Sequence, residues 1–361
     1  MYIIHICVII SFIIFSLCDP LIHNVPVFVH GEGGYPCIRI PAIIRTHTGK
    51  LLAFAECRKF IGDGCTPTDG KEYPKQEGAT LDGRICLKSS TDDGYTWSNL
   101  SFPAGTELKM DDPEPVYDFE TNTVVLMFKC DDKLTMIRSK DEGVTWSERV
   151  DHSAAVSPYG QVYPGPASGI QKTLEPHKGR LLWIGHYGAY DKDILWYSDD
   201  HGETIKMSQP PLPGVDEAQL VELHNGTVLA NMRTPRKFGN YRAGSISVDG
   251  GNTYTLPYPE PKLIEPVCQA SIIRDTQTNA FFFSNPHHIT QRVNMTIQRS
   301  DNNCETWSKK YTLHPGKAGA YSGLTSVSTP GAIGLLWESE YEKCTGTCCV
   351  IYFSLVKSSL E

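Results

Sequence analysis

The sequence has no long amphipathic helical pattern and no basic patch. Past its first 18 residues it also has no apolar run that approaches membrane-spanning length. What remains favours many short strands joined by turns. Acidic residues outnumber basic ones, 41 to 33, for a net charge of −8 and a pI near 5.8. A nucleic-acid binder shows a basic face, so that class is excluded. An anionic ligand must be drawn by local positive charge. Histidines at metal-ligand spacing are missing too. The "CTGTCC" group (Cys344, Cys348, Cys349) has no second cluster to complete a zinc site, so it reads as disulfides. No metal or other cofactor is expected.

The first 18 residues, "MYIIHICVIISFIIFSLC", are nearly all apolar. They read as a secretory signal cleaved near Cys18, although a basic leading segment is absent. A retained membrane anchor is the alternative. Of 12 cysteines, ten remain after Cys7 and Cys18 leave with the signal, an even number that fits disulfides in a secreted or lumenal protein. Sequons at Asn99, Asn225 and Asn294 fit the same compartment. Asn294 follows Arg292 by two, which on a strand puts both on one side and makes glycosylation there sterically unfavourable. With 31 Gly, 24 Pro, 17 Tyr, 13 Phe and 6 Trp, residues 19–361 suit an all-β chain.

An internal repeat organises it. "SSTDDGYTW", "RSKDEGVTW", "YSDDHGETI", "ISVDGGNTY" and "RSDNNCETW" share the core Ser-x-Asp-x-Gly-x-Thr-aromatic, with Ile205 replacing the aromatic in the third and Asn302 and Cys304 departing in the fifth. Their serines, at 90, 139, 198, 247 and 300, lie about fifty residues apart. The unit is a hairpin: aspartate accepts backbone N–H bonds, glycine takes positive φ, and the aromatic packs between sheets. Runs such as "TVVLMFKC", "RLLWIGHY" and "AIGLLWES" are bounded by turn signals. A repeat of this period, with several strands per unit, predicts a six-bladed β-propeller: five marked blades and one unmarked, with the last fifty residues available to close the ring. No linker interrupts it, so residues 19–361 are expected to form one domain.

Chemistry enters at "YPCIRIPAI", where Arg39 stands among apolar residues with no acid nearer than Glu32 or Glu56. A buried guanidinium needs a partner. Arg233 ("LANMRTP") and Arg292 ("ITQRVNM") recur where strands would point to the propeller axis. Three such arginines converging would form an anion pocket suited to a carboxylate or phosphate. Glu338, in "LLWESEYE", could hold the other edge of Arg39.

"CIRIPAI", "FAECR", the repeated Asp-boxes, "DEAQLVEL" and "AYSGLTSV" together resemble the sialidases (exo-α-neuraminidases) of animal and bacterial type over about residues 25–355. The resemblance implies that Arg39, Arg233 and Arg292 clamp the sialic acid carboxylate. It implies that Tyr321 is the nucleophile, Glu217 the base that activates it, and Glu338 the group that orients Arg39. Arg58 and Asp112 are implied at the substrate's 4-position. The general acid is implied five or six residues after Arg58, at Asp63. The long following insertion leaves Asp69 and Asp82 as alternatives. His186 and Tyr187 either line the glycerol side or are structural.

A neutral tyrosine is not repelled by the carboxylate on the anomeric carbon, and a neighbouring glutamate compensates for a phenol pKa near 10. Tyrosine nucleophiles of this kind are a known departure from the two-carboxylate glycosidase pattern. The expected activity is retaining hydrolysis of terminal sialic acids from glycoproteins, glycolipids or oligosaccharides. A sialoside-binding lectin without catalysis and a trans-sialidase are the alternatives. Sialylated glycans are the expected partners, and the address is secreted or lysosomal.

Overall fold

Each repeated turn closes on itself through one set of hydrogen bonds. In the first, the Ser90 hydroxyl accepts the Gly94 N–H (2.9 Å) and donates to Asp92 (2.7 Å), while Asp92 accepts the Thr96 N–H (2.9 Å) and hydroxyl (2.6 Å). The set recurs on Ser139, Ser198, Ser247 and Ser300. Three short polar side chains thus satisfy the turn's backbone without leaving it irregular. Trp97 packs on Phe353 (5.4 Å between ring centres) and Trp146 on Phe54 (6.1 Å), each reaching the preceding sheet.

The computed structural model describes residues 19–65, 72, 75, 82–235, 237–340 and 349–361. The expected signal segment, Asp69, Cys344 and Cys348 lie outside them. The described chain forms a six-bladed β-propeller of antiparallel sheets. The inner strands of blades one, two, four, five and six are Cys37–Arg45, Met110–Asp118, Asp216–Glu222, Ser271–Arg274 and Gly319–Ser326. In the third blade the inner edge is split, Val162–Pro164 and Ile170–Gln171 both pairing with Leu181–Tyr187. The last fifty residues close the ring as expected, supplying three strands of the sixth blade, and the N-terminal Leu21–Val29 completes it by pairing with Val350–Lys357 as its outer strand. Closure this way ties the two ends of the chain into one sheet and covers an edge.

Apolar cores lie between blades. Phe54 and Ile85 of the first pack with Val124, Leu126 and Phe128 of the second. Toward the ends of the inner strands a cavity of about 400 Å³ opens on the axis, lined by Ile43, Val116, Gly169, Leu220, Ile272 and Leu324. None of the predicted site residues lines it. They gather at the opposite end, where the inner strands begin.

The cysteines correct the expectation of complete pairing. Cys37 bonds Cys65, Cys57 bonds Cys86, and Cys349 is also disulfide-bonded. Cys130, Cys268 and Cys304 are free and buried. They serve as small apolar side chains in three separate cores, too far apart to meet.

Candidate active site

Four inner strands carry the same irregularity at the same end. Pairing slips between Arg39 and Ala42, between Asp111 and Glu114, between Asp216 and Ala218, and between Gly319 and Ser322. Ile40, Asp112 and Glu217 take φ of 61°, 54° and 39° there. A bulge breaks the in–out alternation and re-aims side chains. It brings Arg39, Asp112, Glu217 and Tyr321 from four blades into one cluster.

Arg39 is fully buried, and two carboxylates meet it. Its Nε and Nη2 donate to Glu338 Oε1 (3.1 Å) and Oε2 (3.0 Å). Its Nη1 donates to the Asp63 carbonyl (2.9 Å) and carboxylate. Glu338 accepts the Ile40 N–H (2.9 Å) and Tyr321 N–H (3.0 Å) as well. Burial alone would raise its pKa, but Arg39 outweighs that and holds it down. Arg58 donates to Glu56 (2.7 Å) and to Asp63 (3.0 Å). Asp63 is half-exposed. Burial would raise its pKa, and Arg39 and then Arg58 bring it below the usual carboxylate range.

Tyr321 is the centre. Its hydroxyl donates to Glu217 Oε1 and lies 3.4 Å from Arg233 Nη1. The guanidinium carbons of Arg39 and Arg292 lie 4.9 Å and 5.6 Å from its ring centre. Burial, then Glu217, pushes the phenol well above 10, so it rests neutral beside an acceptor for its proton. Arg233 is gripped in a fork by Asp216 (2.6 Å to each oxygen) and pairs with Glu217 (2.6 Å). Arg292 donates to the Val267 carbonyl (2.9 Å) and has no carboxylate partner among the described residues. Of the three predicted clamp arginines it is the one with no carboxylate partner among the described residues.

Asp112 stands on the second blade, its N–H donating to Glu56 (2.7 Å). Burial, then Glu56, raises its carboxyl well above normal. Next to it Asp111 pairs with Lys129 (3.2 Å) and is raised by burial to about 7. Tyr190, 45% exposed, packs at a tilt against His186 (4.7 Å between ring centres) beside this acidic group.

Several placements differ from expectation. Arg233 ends the second strand of the fourth blade, Val228–Arg233, and Arg292 sits in the loop before Met295–Ser300. Only Arg39 is on an inner strand. Asn294 also precedes the strand, so the same-side argument for it fails. Its side chain is engaged by the Gly316 N–H (2.6 Å). His186 is buried, not pocket-lining. Asp82 pairs with Arg84 (2.6 Å) away from the cluster, while Asp63 lies within it. Sequence reasoning missed Glu56, Asp216 and Tyr190. The first two were signalled only by being acids one or two residues from Arg58 and Glu217. His30, Cys37 and Cys65 are close enough for a metal, but two of these thiols form a disulfide.

Residues 85–342 match the family described as BNR repeat-like domain. A sialidase of Micromonospora viridifaciens is 30% identical over 359 residues, covering 89% of this chain and 52% of that protein. A sialidase of Bacteroides fragilis is 27% identical over 352 residues, covering 86% and 61%. The chain thus spans between about half and three-fifths of the length of these relatives. Among solved structures, the Hadza microbial sialidase Hz136 superposes with a TM-score of 0.77 at 24% identity over 93% of this chain and 68% of that one. A leech intramolecular trans-sialidase bound to 2,7-anhydro-Neu5Ac gives 0.75 at 18% identity, over 94% and 70%. At these identities the superpositions speak for the fold.

Proposed function

The chain belongs to the BNR repeat-like domain family, and from that premise we propose that it is an exo-α-sialidase, hydrolysing terminal sialic acids from glycoconjugates with retention. The observation that carries the reading is the Tyr321–Glu217 hydrogen bond, buried among Arg39, Arg233 and Arg292. A pure binding pocket has no need of a phenol aimed at a carboxylate. A pocket for attack at a carbon that bears a carboxylate does.

In this mechanism the substrate carboxylate takes the free face of Arg292 and the Nη1 edge of Arg39, displacing Asp63. Glu217 accepts the Tyr321 proton as the phenolic oxygen attacks the anomeric carbon. Asp63 protonates the departing glycosidic oxygen, then deprotonates the water that cleaves the tyrosyl intermediate. Two displacements give net retention. Leaving Arg39 matters to Asp63, because the guanidinium holds its proton affinity down. With one of two cations neutralised by substrate, its pKa moves back toward that of a useful acid. Arg58 and Asp112 would meet the 4-hydroxyl. A secreted or lysosomal address is supported by the disulfides. No helix among the described residues is long and apolar enough to cross a membrane.

The test is turnover of a fluorogenic α-sialoside by the purified protein beside Tyr321→Phe and Asp63→Ala. Wild-type turnover, its loss in Tyr321→Phe and a marked fall in Asp63→Ala are expected. A folded wild type that binds the sialoside and never cleaves it would replace this reading with the lectin one. Product analysis separates free sialic acid from a transferred or 2,7-anhydro product.

A further inference from the structure

Asp63 stands on a loop built for mobility, yet its carboxylate is held at one spot. Its neighbours Gly62 and Gly64 have φ of 137° and 85°, and Asp63 itself 50°. A segment of this kind has wide conformational freedom unless something ties it down. The Cys65 N–H closes a turn onto the Gly62 carbonyl (3.0 Å). Cys65 then bonds Cys37, the first residue of Cys37–Arg45. Cys37 lies two residues before Arg39 and pairs across the sheet with Arg58. A small closed ring results: from Arg58 along the loop through Asp63 to Cys65, across the disulfide to Cys37, and back across the sheet to Arg58. Both cations that hold Asp63 belong to this ring or stand beside it. The bridge is buried, Cys65 being 8% exposed, and packs with Ile40, Cys268, Ala320 and Tyr321 under the reacting groups.

We propose that the Cys37–Cys65 disulfide is a positioning strap for acid catalysis, keeping Asp63 within a short movement of Arg39 so that it meets the leaving-group oxygen when substrate displaces it. This rests on the sialidase reading and on Asp63 as its acid. Cys37 and Cys65 touch no substrate and act only through Asp63. The strap therefore matters in proportion to how much proton donation the leaving group needs. A sugar alkoxide needs it, and an aryl oxide needs little.

The experiment compares wild type with the C37S/C65S double variant on two substrates, sialyllactose and an aryl α-sialoside, in the presence and absence of Asp63→Ala. With general acids worth about 10²–10⁴ in rate, a loosened one should lower kcat/KM on sialyllactose by roughly tenfold or more and on the aryl substrate by less than about threefold. The loss should fall on kcat more than on KM. In the Asp63→Ala background, removing the strap should change nothing further. Equal losses on both substrates, no loss on either, or a full additional loss in the Asp63→Ala background would overturn the proposal. A wild type that cleaves neither substrate overturns the sialidase reading, and the strap's role with it. If the double variant does not fold, C37A/C65A, which keeps this cluster apolar, provides the same comparison with the same outcomes.

Discussion

His186 and Asp193 are paired across two strands of the third blade, and their protonation makes a sharp prediction. Both are buried, and neither Asp193 oxygen has a hydrogen-bond partner among the described residues. Burial, then Asp216, pushes the Asp193 carboxyl well up, and Arg233 and Arg242 offset only part of that. Burial, then Arg233, pushes His186 down to about 3. Burial thus disfavours the charged form of each in the folded protein. In the unfolded chain the aspartate ionises above about 3.9 and the histidine is charged below about 6.5. Between those values folding favours proton uptake at one residue and release at the other, so in the wild type the two effects oppose each other.

Single variants expose the hidden terms. Asp193 has a raised folded pKa, so its contribution is present below about pH 3.9 and is lost as pH rises, at about 1.4 kcal/mol per unit. The stability of Asp193→Asn relative to wild type should therefore rise from pH 5 to pH 7. His186 has a lowered folded pKa, so its contribution is present above about pH 6.5 and is lost as pH falls. His186→Phe should gain on wild type by roughly 2 kcal/mol on going from pH 6.5 down to pH 5. Urea denaturation at several pH values, followed by tryptophan fluorescence, measures both; Trp183 and Trp196 lie in the same blade. Reversed slopes would mean a buried His186–Asp193 ion pair and would refute the reasoning. Parallel curves would mean that neither group titrates between the two states.

Glu338→Ala should cost about 3–5 kcal/mol, since it removes the carboxylate that binds a buried Arg39 with both oxygens. Because the Glu338 pKa is depressed, that advantage is present above the unfolded carboxyl pKa and should shrink in strong acid; a loss under about 1 kcal/mol at pH 7 in denaturant titration contradicts the assignment. Gly94→Ala should cost about 2–4 kcal/mol in the same assay, because its φ is 88° and a Cβ there runs into the Phe353 ring; a loss below about 0.5 kcal/mol would show that the turn can yield. When the protein is made in a secretory host, glycan mapping should find Asn99 and Asn225 modified and Asn294 bare, because the first two are exposed and Asn294 is only partly so. Occupancy at Asn294 would show that partial exposure there suffices.

The repeated turns were legible because each needs particular residue types at fixed offsets: a short hydroxyl, an acceptor two residues on, a left-handed position, then a threonine. Even the degenerate fifth copy keeps the geometry, with Asn302 accepting and Cys304 at φ 64°. The site was legible only in part. Arg39 lies in an apolar strand where a charge stands out, Glu338 was offered as its partner from its own apolar strand, and Tyr321 and Glu217 came through resemblance to a family. Arg233 and Arg292 were expected on strands facing the axis; both do reach the Tyr321 cluster, the first from a strand end and the second from a loop. Bulges leave no mark in a period-two pattern. The N-terminal strand that closes the ring gave no turn signal, because its partner is more than 300 residues away. The three free cysteines were misread because an even count does not reveal which core each one occupies.

The carboxylates that hold the arginines also hold the bulges, and this explains why strained backbone survives at the site. Left-handed φ costs a non-glycine residue about 1–3 kcal/mol, most for a β-branched one such as Ile40. Glu338 binds Arg39 with both oxygens and also accepts the N–H of Ile40 on the first blade and of Tyr321 on the sixth. Glu56 binds Arg58 and accepts the N–H of Asp112 on the second. Each carboxylate therefore fixes a cation and the backbone of a bulge together, and joins neighbouring blades in doing so. The separation between Tyr321 and the arginines is then set by this charged lattice rather than by the strands alone. Removing Glu338 should disturb the nucleophile and the clamp at once, whereas a substitution in the outer strands, however destabilising, should leave their mutual geometry intact.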